Sequence, residues 1–176
     1  MESKNDNFSA IILAAGKSTR LGSPKLSLPY DENATFLDQI IHQFLVFGCK
    51  EIIVVVNKTG YELIKEKPVI KVLNEHPEWH RFYSLKLGMK ALKKTQPVFV
   101  HNVDNPFVNQ DVLSELTAHS AQADYIVPEY EQKGGHPIIL SKNIVTDICS
   151  EERNQVHLKQ FLLQYPRLKI PVKDKN

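Results

Sequence analysis

Leu13 to Lys25, LAAGKSTRLGSPK, gathers the cations Lys17, Arg20 and Lys25, the glycines Gly16 and Gly22, and several hydroxyl side chains into one short span without periodicity. Glycine lets backbone N–H groups come close to an anion, and clustered ammonium and guanidinium groups neutralise charge that uncharged amides cannot. A polyphosphate is the expected partner of such a loop; the alternative is a surface turn whose cations face water. The next candidate is Asp104 in HNVDNPF, His101 to Phe107, which follows an apolar run. Two readings fit it: a ligand for Mg2+, which takes a carboxylate or two together with substrate phosphates, or a turn former beside Asn-Pro. Arg81 to Gly88, RFYSLKLG, sets a cation beside Ser84, which suits a helix N-cap with free N–H groups behind it. In GGHP, Gly134 to Pro137, His136 either binds a phosphate or fills a turn. His42, His76, His80, His119 and His157 show no metal-ligand spacing, and Cys49 and Cys149 are two isolated thiols without a zinc or disulfide pattern.

Gly16-Lys17-Ser18 reproduces the end of the P-loop of ATPases, but that motif needs another glycine five positions earlier, where Ile11 stands inside the first strand. No G-x-G-x-x-G dinucleotide fingerprint follows that strand either. The order L-A-A-G-x-S-x-R-x-G-x-x-K, met at Leu13, Ala14, Ala15, Gly16, Ser18, Arg20, Gly22 and Lys25, resembles instead the signature of the MobA-like nucleotidyltransferases. Among these it looks most like the molybdenum cofactor cytidylyltransferases, over roughly Phe8 to Val172.

The resemblance implies that Leu13, Ala14, Ala15, Gly16, Lys17, Ser18 and Lys25 bind a nucleoside triphosphate. It makes Lys25 and Arg20 the catalytic cations, with Arg20 on the outer phosphates, and Asp104, in a D-x-P element, the holder of Mg2+. Arg81 and Ser84, in R-x-x-S-L-x-x-G, correspond to an element that meets the base or the ribose, and Gly135, His136 and Pro137 to one that borders the acceptor. Three features depart from the family pattern. Asn74 and Trp79 echo an Asn-Pro-x-Trp stretch but lack the glycine that follows it; His101 and Asn102 are polar where relatives carry small or apolar residues; and the sequence closes on Lys173-Asp174-Lys175-Asn176 without the acidic D-x-D-T-P element.

The implied activity is transfer of a nucleoside monophosphate, CMP first, from a triphosphate to a phosphate-monoester acceptor, with release of pyrophosphate. Molybdopterin or molybdenum cofactor is the implied acceptor, and a molybdoenzyme client the implied recipient. A phosphate monoester, with second pKa about 6, is already mostly dianionic at neutral pH, so no general base is required. A GTP-dependent or sugar-phosphate nucleotidyltransferase would share the loop, although GGHP argues against it. A nucleotide- or cofactor-binding protein without catalysis would share it too, and the missing acidic element argues for that reading.

These groups need elements to position them. Apolar runs of strand length recur over residues 8–13, 51–56, 69–73, 97–100 and 125–127. Between the first two, Phe36, Leu37, Ile40, Ile41, Phe44 and Leu45 share one face of a helix over 36–47, which Thr35 caps and Gly48 ends. Further helices are predicted over 84–94, 109–120 and 155–164, with 128–135 an excursion at the sheet's edge. The alternation predicts an α/β three-layer fold of Rossmann-like nucleotidyltransferase type: a mostly parallel central sheet, helices on both faces, and ligands at the carboxyl ends of the strands. A length of 176 residues suits one domain over 1–176, behind a polar tail at 1–7. A net charge of +2 is too small for a nucleic-acid surface, and no apolar run reaches membrane-spanning length. The MESKNDN start carries no apolar signal segment, so the cytoplasm is the expected compartment.

Overall fold

The computed structural model describes residues 8–16, 24–65 and 67–173. Its centre is a sheet whose first members, β1 (Ser9–Ala14) and β2 (Ile52–Val56), are buried at every position. Strands covered on both sides need continuous apolar sequence, which SAIILA and IIVVV supply. β3 (Ile70–Leu73) and β4 (Val98–Asn102) complete a parallel quartet in the order β3-β2-β1-β4. Beyond it, β7 (Ile138–Leu140) runs antiparallel to both β4 and β5 (Tyr125–Tyr130), so β5 points the same way as β4. β8 (Arg167–Pro171) pairs parallel with the other edge of β5, while the short β6 (Lys133–Gly134) folds back on the end of β5. Six of these eight strands therefore share one direction, and the expected mostly parallel α/β sheet is present.

Alternation along β1 shows how the layers form. Ala10, Ile12 and Ala14 face a core shared with α1 (Phe36–Phe47) and α4 (Gln110–Ala118), through Phe44, Leu113 and their neighbours. Ile11 and Leu13 face the opposite core, closed by α3 (His80–Lys90), α5 (Lys142–Ser150) and α6 (Leu158–Leu162). Helices thus cover both faces. On the first face, α2 (Lys58–Leu63) approaches so closely that a Cβ on Gly60 would lie 2.9 Å from Leu26 Cδ2.

α1 has the predicted ends: the Thr35 hydroxyl accepts from Asp38 N–H, the Asp38 carboxylate accepts from Thr35 N–H, and Gly48 adopts φ 107. α4 lies within the predicted span, with Asn109 as its cap. Elsewhere the sequence reading needs correction. The helix expected over 84–94 begins at His80, because the 3₁₀ turn Pro77–Trp79 leads straight into it; Ser84 therefore lies in its second turn and caps nothing. The helix expected over 155–164 is reduced to α6, since the chain enters it only at His157 and Tyr165-Pro166 ends it. α2, α5, β7 and β8 were not anticipated as elements, although Ser141 ahead of Ile144, Val145 and Ile148 is a readable helix start. No helix among the described residues is long and apolar enough to cross a membrane.

Candidate active site

β1 and β4 are neighbours and end side by side. The ladder runs Leu13↔Asn102, and Val103 N–H then donates to Leu13 O at 3.1 Å, so the turn after β4 is laid against the exit of β1. Asp104 is the next residue. Lys25 returns to it on the 3₁₀ turn Lys25–Ser27, which buried Leu26 anchors to the core beneath. Lys25 Nζ donates to Asp104 Oδ2 at 3.2 Å, with the two side chains 36% and 50% exposed. An ion pair this open to water contributes only about 0–1 kcal/mol to stability. Its significance is chemical: a cation and a carboxylate share one mouth at the carboxyl edge of a parallel sheet, where such folds bind ligands.

Leu13, Ala14 and Ala15 are buried, so only their backbone can meet a ligand; Gly16 is exposed, and a Cβ there would meet nothing within 4 Å. Lys17, Ser18 and Arg20 lie outside the described residues. Asn57, which sequence reading passed over, ties the start of the loop to α2: its Nδ2 donates to Gly16 O at 3.4 Å and its Oδ1 accepts from Gly60 N–H at 2.9 Å. Its position immediately after the last residue of β2 was the available signal.

Arg81 is exposed in the first turn of α3 and lies close enough to bear on the titration of His136. Ser84 is different. It is 6% exposed and its hydroxyl accepts from Asn74 Nδ2 at 2.9 Å, while fully buried Asn74 also accepts from His76 N–H through Oδ1. Its observed contacts hold the turn after β3, and no free helix start is offered there.

GGHP and HNVDNPF, separate in sequence, converge. Asn105 and Phe107 share a cavity of about 350 Å³ with Tyr130, Gly135, His136 and Pro137. Beside it, the His101 and His136 rings meet edge to face at 6.2 Å. Burial pushes the His101 imidazole down to about 4. Burial also lowers His136, and the nearby Arg81 cation acts in the same direction. Both rings are therefore uncharged at neutral pH.

Among the described residues no group of three or more His, Cys, Asp or Glu side chains could cage a metal. The half-exposed Asp104 carboxylate is a hard oxygen donor of the kind that suits Mg2+ or Mn2+, ions that complete their shells with substrate phosphates and water.

Comparison with known proteins bears on the fold and the family. The chain is 27% identical over 168 residues to the molybdenum cofactor cytidylyltransferase of Escherichia coli K12, covering 93% of this chain and 85% of that protein. It is 30% identical over 127 residues to the 2-C-methyl-D-erythritol 4-phosphate cytidylyltransferase of Shouchella clausii, covering 66% of this chain and 54% of that one. Rv0371c of Mycobacterium tuberculosis H37Rv has the same fold, with a TM-score of 0.81 at 20% identity over 94% of this chain and 88% of that one. Another structure of Rv0371c is a complex with manganese, with a TM-score of 0.75 at 18% identity over 94% of this chain and 88% of that one. Residues 10–168 match the MobA-like NTP transferase domain, and the chain belongs to that family of nucleotidyltransferases.

Proposed function

We propose that this enzyme transfers CMP from CTP to the phosphate monoester of molybdopterin or molybdenum cofactor and releases pyrophosphate. The observation that carries the reading is the meeting of Lys25 with Asp104 beside the exit of β1. Lys25, Arg20 and the backbone of Leu13 to Ser18 hold the triphosphate, Arg81 lies toward the nucleoside, and Gly135, His136 and Pro137 border the acceptor. Support for cytidine comes from two relatives named as cytidylyltransferases.

The acceptor's phosphate oxygen attacks the α-phosphorus, a new P–O bond forms, and the bond to pyrophosphate breaks. The attacking dianion brings its own electron pair, so no side chain has to remove a proton. In this reading Lys25 and the loop amides meet charge as it grows on the phosphate oxygens. Mg2+, held by Asp104 and the triphosphate, would supply further neutralisation of that charge. Uncharged His136 presents a hydrogen-bonding ring at the acceptor side without repelling Arg81.

The test mixes the purified protein with Mg2+, one nucleoside triphosphate at a time, and either molybdopterin or 2-C-methyl-D-erythritol 4-phosphate, while pyrophosphate is followed. Release with CTP and molybdopterin is expected. Release with GTP instead, or with the erythritol phosphate instead, replaces the base or the acceptor in this reading. Tight CTP binding with no release for any acceptor removes the catalytic reading.

A further inference from the structure

We propose that His101 is a positioning residue for Asp104: its buried ring holds the Asn105 carbonyl and so fixes where the neighbouring carboxylate stands. The inference rests on the reading of Asp104 as the metal-binding carboxylate.

His101 is 0% exposed at the carboxyl end of β4, with Phe44 of α1 edge-on at 6.1 Å. Its Nε2 lies 2.6 Å from Asn105 O. A carbonyl oxygen can only accept, so Nε2 must carry the proton, and in a neutral imidazole Nδ1 is then a bare lone pair. Nδ1 is buried with no hydrogen-bond partner among the described residues. A buried acceptor without a donor costs stability, and a phenyl or isobutyl group would sit beside Phe44 without that cost. What the imidazole adds to this place is its single Nε2–H bond to Asn105.

That bond falls on one side of Asp104, and the other side is held as well. Val103 N–H donates to Leu13 O at 3.1 Å, so the residue before Asp104 is tied to β1 and the residue after it to the His101 ring. Asn105 is further committed, its N–H to Asn102 O at 3.3 Å and its Oδ1 to Phe107 N–H at 3.0 Å. The Asp104 backbone is thus clamped between two fixed peptides while its side chain stays half exposed toward Lys25. Partners that orient a metal-binding group without touching the metal typically change affinity or activity 10–100-fold when removed.

The experiment compares the full chain with His101→Leu, His101→Gln and Asp104→Asn. Each is titrated with Mn2+ in the presence of CTP and without acceptor, free Mn2+ being read by electron paramagnetic resonance; melting curves run alongside. Expected is about tenfold weaker Mn2+ binding in His101→Leu with a cooperative melt retained. In His101→Gln, whose amide can donate to Asn105 O, binding returns to within about threefold of the parent. Should the leucine variant not fold, His101→Phe takes its place as a donor-free side chain. Parent-like binding in both His101 variants overturns the inference, as do equal losses in both that follow a lowered melting temperature. Asp104→Asn separates the two claims. Weak binding there beside parent-like His101 variants sinks the positioning role alone, whereas parent-like binding in Asp104→Asn sinks the metal reading and the inference with it.

Discussion

Lys25 Nζ stands 3.2 Å from Asp104 Oδ2 although 79 residues separate them in the chain. Neither side chain is buried enough for the pair to be a stability device, so the contact predicts a kinetic phenotype. Lys25→Ala should lower kcat for pyrophosphate release by about 10²–10³-fold, the range found for losing one donor to developing oxyanion charge, with a smaller loss of CTP affinity. Stability should change by less than about 1 kcal/mol. Equal losses in kcat and in affinity, measured by steady-state kinetics and calorimetry, would reduce Lys25 to an anchor.

Ser84 and Asn74 should behave as structural partners. Ser84→Ala removes the acceptor of a buried Asn74 amide, and Asn74→Ala leaves the Ser84 hydroxyl without that donor and His76 N–H without its acceptor. Each change should cost about 1–3 kcal/mol in urea unfolding. CTP affinity in Ser84→Ala should stay within about twofold of the parent. A tenfold loss of affinity at unchanged stability would put the Ser84 hydroxyl on the nucleotide.

Gly88 sits where α3 presses on the sheet. A Cβ there would lie 2.8 Å from Ile11 Cγ2 and 3.0 Å from Val55 Cγ2, both on fully buried strand residues. Gly88→Ala should therefore destabilise by about 1–3 kcal/mol despite alanine's better helix propensity. A variant as stable as the parent would show that α3 can move outward freely.

Acid should weaken the fold through His101. Its ordinary value of 6.5 is pushed down to about 4 by burial, so between those pH values the unfolded chain binds a proton that the folded chain refuses. This contribution to stability is whole above about pH 6.5 and falls as pH falls, by up to about 3 kcal/mol at pH 4. His136 is lowered in the same direction and adds to the loss. Unfolding free energies across this window should decline with a shallower slope in His101→Phe than in the parent; identical slopes would exclude His101 as the source.

Much of the architecture was legible along the chain. Continuous apolar runs marked β1 and β2 because both faces of those strands are covered, and Thr35 and Gly48 marked the ends of α1 because their local geometry favours such residues. β7 and β8 were missed as strands. Ile138–Leu140 holds only three residues, and Arg167–Pro171 alternates exposed Arg167 and Lys169 with Leu168 and Ile170 over too short a span to stand out, so each becomes legible as a strand only once β5 pairs with it.

The sequence alone determined the family, through the residues from Leu13 to Lys25, and named Asp104, Arg81 and His136 as groups worth watching. Tertiary structure decided their company. The adjacency of β1 and β4 sets the Asp104 turn against the exit of β1, and the 3₁₀ turn anchored by Leu26 brings Lys25 back to that edge. Packing also withdrew Ser84 into a hydrogen bond with Asn74 and put His101 beneath the Asp104 turn. The physical reason is range: caps and apolar periods act over a few residues and are written locally, whereas a contact across 79 residues exists only once strand order brings its partners together.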